Sequence, residues 1–261
     1  MIKLYDHPLS PYAQKVRIAL REKGVGFEAV VPGGLGAGGG AEEFRVASPR
    51  AEVPALIDGD IRIFDSTIIL EYIEDRWTQP PLLPLGAAER ARVRMIEEIM
   101  DTHYEAINWA LGEIGWFKRA EGQLAATLTS EAARQARGFH AWLERQLGAR
   151  KWFNGEAFGW GDLSVVPYLA ASAALGLAPP DGSPLSAWLA RTMKRESVSQ
   201  TVAEARNLDR GAVDVADLVR RGLFKREYRD HRLEWMIKSG GVEVVLEGLK
   251  AGNIRFAPDF D

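Results

Sequence analysis

Apolar positions along residues 1–79 switch between two periods. Ile2 to Tyr5 reads as a short strand, and Pro11 to Lys23 as a helix in which Val16, Ile18, Ala19 and Leu20 recur at helical spacing before Gly24 stops it. Phe27 to Val31 is the next strand, followed by a glycine-rich loop and a brief helical turn at Ala41 to Ala47. Ala55 to Ile57 and Ile61 to Phe64 face each other across Asp58-Gly59-Asp60, a hairpin pattern, and Ser66 to Trp77 reads as a helix. Alternating strands and helices of this kind predict an α/β unit with helices on both faces of a small mixed sheet.

Gln79-Pro80-Pro81-Leu82-Leu83-Pro84 continues neither a helix nor a central strand. Every periodic segment beyond it is helical: Ala87 to Ile114, Ser130 to Leu147, Gly161 to Leu175, Leu185 to Arg195 and a last region from Ala212 to Leu249. The expected division is an α/β domain over 1–79, a linker over 80–86, an all-α domain over 87–205 and a helical extension over 206–261. Leu163 to Pro180 carries no charge, but Pro167 and Pro179-Pro180 interrupt it and Ala, Ser and Gly dominate it. It therefore predicts a central packed helix, with no membrane as partner.

Composition narrows the chemistry. The 261 residues carry 33 Lys plus Arg against 36 Asp plus Glu, for a net charge of -3, and 46% are hydrophobic. This describes a soluble globular chain without the global basic field that grips nucleic acid, although a local patch is compatible with it. There is no cysteine, so disulfides, thiolate metal sites and a cysteine nucleophile are excluded, and any sulfur chemistry must arrive on a ligand. His7, His103, His140 and His231 show no metal-ligand spacing, so no metal is expected. The start Met-Ile-Lys-Leu-Tyr has no basic and apolar leader, which predicts a cytoplasmic protein.

Gly34, Gly36 and Gly39 fit a dinucleotide fingerprint, but no long helix comes after them, so a surface loop is the expectation. Ser10-Pro11 joins the first strand to the first helix as an N-cap hydroxyl followed by proline. A hydroxyl among unpaired N–H groups at a helix N-terminus is a cap, and is also able to donate to a bound thiolate. Asp65-Ser66 opens the last helix of the first unit in the same manner. Between them, Glu52-Val53-Pro54-Ala55-Leu56 puts proline before a strand; a cis bond there would turn the Val53 backbone outward to pair with an extended peptide.

Taken in order, Lys3-Leu-Tyr5, Ser10-Pro-Tyr-Ala-Gln-Lys-Val-Arg-Ile-Ala-Leu20, Ser48-Pro-Arg-Ala-Glu-Val-Pro-Ala-Leu56 and Asp65-Ser-Thr-Ile-Ile-Leu-Glu-Tyr-Ile73 resemble the thioredoxin-like domain of cytosolic glutathione S-transferases. Phe158-Gly-Trp-Gly-Asp-Leu-Ser-Val-Val-Pro-Tyr-Leu169 resembles the buried-helix signature of the same family, with Gly159 where Ser or Thr usually caps; a Gly cap costs only a few tenths of a kcal/mol. The resemblance implies an α/β thioredoxin-like N-terminal domain plus an all-α C-terminal domain and a serine-type transferase, of the theta, zeta or tau sort. It further implies glutathione as co-substrate and a homodimer. Ser10 would stabilise the glutathione thiolate, Val53 would pair with the tripeptide through a cis Pro54, and Asp65 and Ser66 would hold the γ-glutamyl end, although the shorter Asp replaces the usual Glu or Gln. Tyr5 is the alternative hydroxyl, ranked below Ser10. Leu9, Tyr12, Tyr104, Asn108, Trp109 and Trp116 are candidates for the wall of an apolar pocket for a small hydrophobic electrophile.

Conjugation, dehalogenation, ether cleavage and isomerisation all use one activated thiolate and are not separated by sequence. A catalytically silent interaction module is the alternative. The tail interleaves Arg220, Arg221, Lys225, Arg226, Arg229, Arg232 and Lys238 with Glu227, Asp230 and Glu234, a pattern of a solvated helix before Ser239-Gly240-Gly241, with Val242 to Leu249 as a final helix. The alternative for this basic run is a surface for an anionic partner, which would support the interaction module, and the extension is otherwise structural or a lid on the electrophile pocket.

Overall fold

The computed structural model of the chain describes residues 1–35, 41–207, 214–225, 228 and 230–254. Its N-terminal part runs β1 (Ile2–Tyr5), α1 (Pro11–Glu22), β2 (Phe27–Val30), α2 (Glu42–Ala47), β3 (Ala55–Asp58), β4 (Ile61–Phe64) and α3 (Ser66–Arg76). The strands form one mixed sheet in the order β2-β1-β3-β4, with β1 parallel to β2 and antiparallel to β3. Alternation of side chains across the pleat splits the apolar residues between two faces. Ile2, Leu4 and Leu56 pack with Val16, Leu20, Ile69 and Ile73 of α1 and α3, whereas Tyr5, Ala55 and Ile57 pack with Phe44 and Ala47 of α2.

Two cis peptide bonds, Val53–Pro54 and Gln79–Pro80, flank this unit's last three elements. The segment after the second is tied on both sides. Leu82 and Leu83 N–H groups donate to the Glu74 carboxylate at 3.1 Å, Lys23 reaches Glu74 and the Pro80 carbonyl at 2.6 and 2.7 Å, and the Leu82 carbonyl accepts from Trp160 N at 2.8 Å.

Beyond it lie α4 (Ala87–Ile99), a π-helical turn (Met100–Tyr104), α5 (Glu105–Gly115), α6 (Gly122–Leu147), α7 (Trp160–Ala174), α8 (Pro184–Thr192) and α9 (Glu196–Arg206). The long helix expected over Ala87 to Ile114 thus contains a wide turn, which directs both Met100 and Tyr104 into the core. Two sequence expectations fall short. α6 begins at Gly122 rather than Ser130, because its first turns leave Leu124 and Leu128 exposed and show no buried stripe. α9 is hidden in the sequence because its inward face mixes Val198 and Val202 with buried Ser197 and Thr201.

α7 is the central helix, and it runs through Pro167 to end before Pro179-Pro180; among the described residues no helix is long and apolar enough to cross a membrane. Gly159 at its start is required rather than merely tolerated. A Cβ there would overlap Asn154 Nδ2 and the Leu82 carbonyl oxygen. Asn154 itself supplies the missing cap: its Oδ1 accepts from Gly161 N at 3.1 Å and its Nδ2 donates to Leu82 O at 2.6 Å. Asp162 receives the N–H groups of Phe153, Asn154 and Gly159 and the indole of Trp188, at 2.8 to 3.3 Å.

The extension contributes α10 (Val215–Arg220), α11 (His231–Lys238) and α12 (Val242–Ala251). Arg226, Glu227 and Arg229 of the basic run, and Gly36 and Gly39 of the glycine pattern, lie outside the described residues.

Candidate functional site

Strand register decides where the motifs gather. Tyr5 pairs with Ala55, and Ala55 with Phe64, so the residues after β1, before β3 and after β4 emerge at one edge of the sheet. From that edge come the loop carrying Ser10, the cis Val53–Pro54 bond and Asp65–Ser66.

The loop is held along its length. Asp6 N–H donates to Val30 O at 2.9 Å and its carboxylate takes the buried Arg17 guanidinium, while Gln14 Nε2 donates to Pro8 O at 2.6 Å. His7 organises the turn: its Nδ1 accepts from Leu9 N at 3.2 Å and its carbonyl from Ser10 N at 2.8 Å. Burial pushes the His7 pKa down, favouring the neutral ring that this acceptor role needs. Ser10 is the N-cap of α1 with extended backbone, and its Oγ accepts from Ala13 N at 3.3 Å. That bond occupies a lone pair and leaves the hydroxyl proton free to donate.

Val53 takes part in no hydrogen bond among the described residues, so its N–H and C=O are available to an extended ligand strand. Asp65 has φ 77°, a left-handed backbone that costs a non-glycine residue about 1–2 kcal/mol. Its Oδ1 caps α3 through Thr67 N at 3.0 Å, and its Oδ2 accepts from Arg50 Nη2 at 3.1 Å. Ser66 is the buried first residue of that helix.

A cleft of about 300 Å³ separates Val53, Pro54, Asp65 and Ser66 from Arg94, Glu97, Glu98 and Asp101 of α4 and the π-helical turn. Ser10 stands outside its lining, two residues before Tyr12, which belongs to it. Beneath the cleft lies a polar network that sequence reasoning misses. Lys15 is fully buried, with Nζ 2.6 Å from Glu97 Oε1 and 2.5 Å from Asp101 Oδ2. Thr67 Oγ1 donates to Glu97 at 3.0 Å and Tyr168 OH to Asp101 at 2.7 Å. Burial works against the Lys15 charge, but the carboxylates of Asp101 and Glu97 outweigh it and hold its pKa above the ordinary value. Burial pushes the Glu97 carboxyl up, with Lys15 opposing. A lysine on the apolar face of the first helix is the one signal available in the sequence.

The six residues expected for the electrophile wall do not gather around this cleft. Of the six only Tyr12 lines the cleft, its hydroxyl donating to Asp101 O at 2.8 Å. Leu9 is half-buried in its own turn. Tyr104 is fully buried, hydrogen-bonded to His140 Nε2 at 3.1 Å and packed edge-on against Phe139; burial pushes His140 down to about 4. Asn108 bridges helices, donating to Tyr168 O at 3.0 Å and accepting from Ser172 Oγ at 2.7 Å. Trp109 meets Tyr228 of the extension with ring centroids 4.4 Å apart, and Trp116 lies over Gly112. Tyr104 thus faces the core and Trp109 the extension, while Trp116 is exposed. Tyr5, the alternative hydroxyl, is buried beneath α2 and donates to the Glu43 carboxylate. Burial and that bond raise its pKa, and its hydroxyl proton is already engaged by Glu43.

Comparison with known proteins bears on this geometry. Residues 4–81 match the family model of the glutathione S-transferase N-terminal domain. Maleylacetoacetate isomerase of Mus musculus is 35% identical over 175 residues, covering 64% of this chain and 76% of that protein. A stringent starvation protein A homologue of Coxiella burnetii is 28% identical over 215 residues, 80% of this chain and 97% of its own. A rice glutathione S-transferase solved in complex with glutathione shares the fold with TM-score 0.65 and 25% identity, over 85% of this chain and 96% of that one. A thioredoxin-like sheet followed by a helical domain, the N-terminal family match and a relative aligned over three quarters of its length agree: the chain belongs to the cytosolic glutathione S-transferase family.

Proposed function

We propose that this chain is a serine-type glutathione transferase. The observation that carries the reading is the convergence of the Ser10 turn, the unpaired Val53 backbone and the strained Asp65 at one sheet edge beside a cleft. The tripeptide backbone of glutathione adds to Val53 as a short strand. Its γ-glutamyl ammonium meets Asp65, and its carboxylate meets the Ser66 N–H at the positive end of α3. The Ser10 hydroxyl donates to the sulfur, aided by the α1 N-terminus. A free thiol of pKa about 8.5 is only about 3% ionised at neutral pH, and a drop of about two units makes most of it thiolate. The sulfur lone pair then forms a bond to an electrophilic carbon. In an addition reaction the displaced electron pair is protonated by solvent; in a displacement the leaving group departs with its bonding pair.

A small hydrophobic electrophile is the proposed second substrate. The exposed apolar side chains Ile61, Phe64, Ile68 and Met95 are the candidates for what a second copy covers in the proposed homodimer. The domain limits 1–79, 80–86, 87–205 and 206–261 and a cytoplasmic setting, where glutathione stays reduced, belong to the same proposal. A catalytically silent interaction module is the second reading: the stringent starvation protein A homologue that matches 80% of this chain carries a name that states no transferase activity.

Ultraviolet difference titration of glutathione against pH separates the two. The transferase reading expects a thiolate band well below the free-thiol pKa that shifts back by about two units in Ser10→Ala. Absence of glutathione binding supports the silent module, and an unshifted band in the variant moves the donor away from Ser10.

A further inference from the structure

A second concavity, of about 810 Å³, lies away from the glutathione cleft, between the C-terminal end of α1, the 148–155 loop and the junction of α8 with α9. Five cationic side chains line it, Arg21, Lys151, Arg191, Lys194 and Arg195, against two carboxylates, Glu22 and Glu196. This concentration of positive charge departs from a chain whose net charge is -3.

The cations are not equally available. Arg195 is held by Glu22 at 2.7 Å and Arg21 by Glu204 at 2.5 Å. Lys151, Arg191 and Lys194 have no carboxylate partner among the described residues. Arg191 is fixed in place all the same: its Nη2 donates to the Lys151 carbonyl at 2.5 Å and its guanidinium lies 5.0 Å from the centre of the buried Trp152 ring, while its Nε is buried without a hydrogen-bond acceptor. Arg195 and Lys151 flank the same ring at 5.7 and 6.0 Å. Trp152 thus gathers like charges that would otherwise repel, which is an arrangement a bound anion stabilises. The first-turn N–H groups of α9, at Glu196 and Ser197, have no acceptor among the described residues and border the same groove.

We infer that this groove binds a compact polyphosphate anion of the pyrophosphate or nucleoside polyphosphate class. With Arg195 and Arg21 already paired, Lys151, Arg191 and Lys194 outnumber the remaining groove carboxylate, Glu196, and this excess of positive charge suits a multiply charged anion better than a monocarboxylate. The Lys151 and Lys194 ammonium groups, together with the helix N–H groups, suit phosphate oxygens as point donors, with Arg191 adding its fixed charge. The groove is open to solvent, and its volume admits a small anion without enclosing it. Nucleic acid fits less well, because Glu22 and Glu196 interrupt the basic surface within the groove and the chain is acidic overall.

The test is isothermal titration of the full chain with inorganic pyrophosphate and, separately, with ATP, at low and at about 150 mM salt. The expected result is one site per chain that persists at the higher salt and weakens at least tenfold in Lys151→Gln/Lys194→Gln, two exposed positions whose change leaves the fold intact by circular dichroism. Glutathione affinity is expected to stay unchanged in the same variant, so failure here is independent of the transferase reading. No binding of either probe, binding lost at the higher salt, or binding equal in wild type and variant overturns the proposal. Affinity for single-stranded RNA that exceeds that for pyrophosphate and grows with oligomer length also overturns it, in favour of a nucleic-acid surface.

Discussion

Asp65 does more than a helix cap requires. A cap is satisfied by Ser or Thr in extended backbone, yet this residue holds a left-handed conformation, shares Arg50 and faces the cleft. Local strain of this kind persists where the surroundings over-determine it, here through the β4 register on one side and the α3 N–H groups on the other. Asp65→Asn keeps the capping oxygen and tolerates the backbone while removing the charge. It is expected to raise KM for glutathione roughly tenfold, the loss of about 1.4 kcal/mol in ground-state binding, and to leave kcat at saturating glutathione nearly unchanged. Initial-rate kinetics over glutathione concentration check this, and an unchanged KM removes Asp65 from the site. At this scale Ser10, Val53-Pro54 and Asp65-Ser66 are legible in the sequence because caps and prolines act through their own backbone. Lys15, Glu97 and Asp101 are not, because their attraction joins positions 82 and 86 residues apart.

Among the elements, α7 shows how one position depends on distant chain. Gly159 reads locally as a weakened cap, but the space its side chain would fill is taken by Asn154 and the Leu82 carbonyl, which together tie the segment after Pro80–Pro81 to the central helix. Gly159→Ser is therefore expected to destabilise the fold by about 1–3 kcal/mol, the range for overpacking, even though serine is the better intrinsic cap. Urea unfolding measures it, and a variant at least as stable as the parent would mean that Asn154 gives way at no cost. α6 and α9 show the complementary case: exposed leucines and buried hydroxyls disguise a helical face, and only the neighbouring helices reveal which side is inward.

For the molecule as a whole, the extension changes what the helical domain exposes. Tyr228 covers Trp109 and reaches Glu113 at 3.4 Å, and Phe224 stacks on Phe117 at 5.8 Å. Arg220 and Arg221 turn outward and pair with Asp217 on their own helix, in keeping with a solvated face. Deleting the chain after Arg206 is expected to uncover these aromatics, lower the thermal midpoint by several degrees and alter the preference among electrophiles of different size, with glutathione affinity retained. Thermal melts and a panel of electrophiles test it; lower stability with unchanged preference makes the extension purely structural.

By itself the sequence determined the order of elements in the α/β unit, the helical character of the rest of the chain and the backbone-borne half of the candidate site. These depend on side-chain period, proline and capping, all of which act over a few residues. Only the tertiary structure decided that Tyr5, Ala55 and Phe64 share a row and so bring three separated motifs to one edge. It alone decided that Tyr104 is buried, that Trp109 is covered by the extension and that the facing wall of the cleft is charged, and it alone collected cations around Trp152. Register, burial and long-range charge pairing arise between segments far apart in the chain, and no local period encodes them.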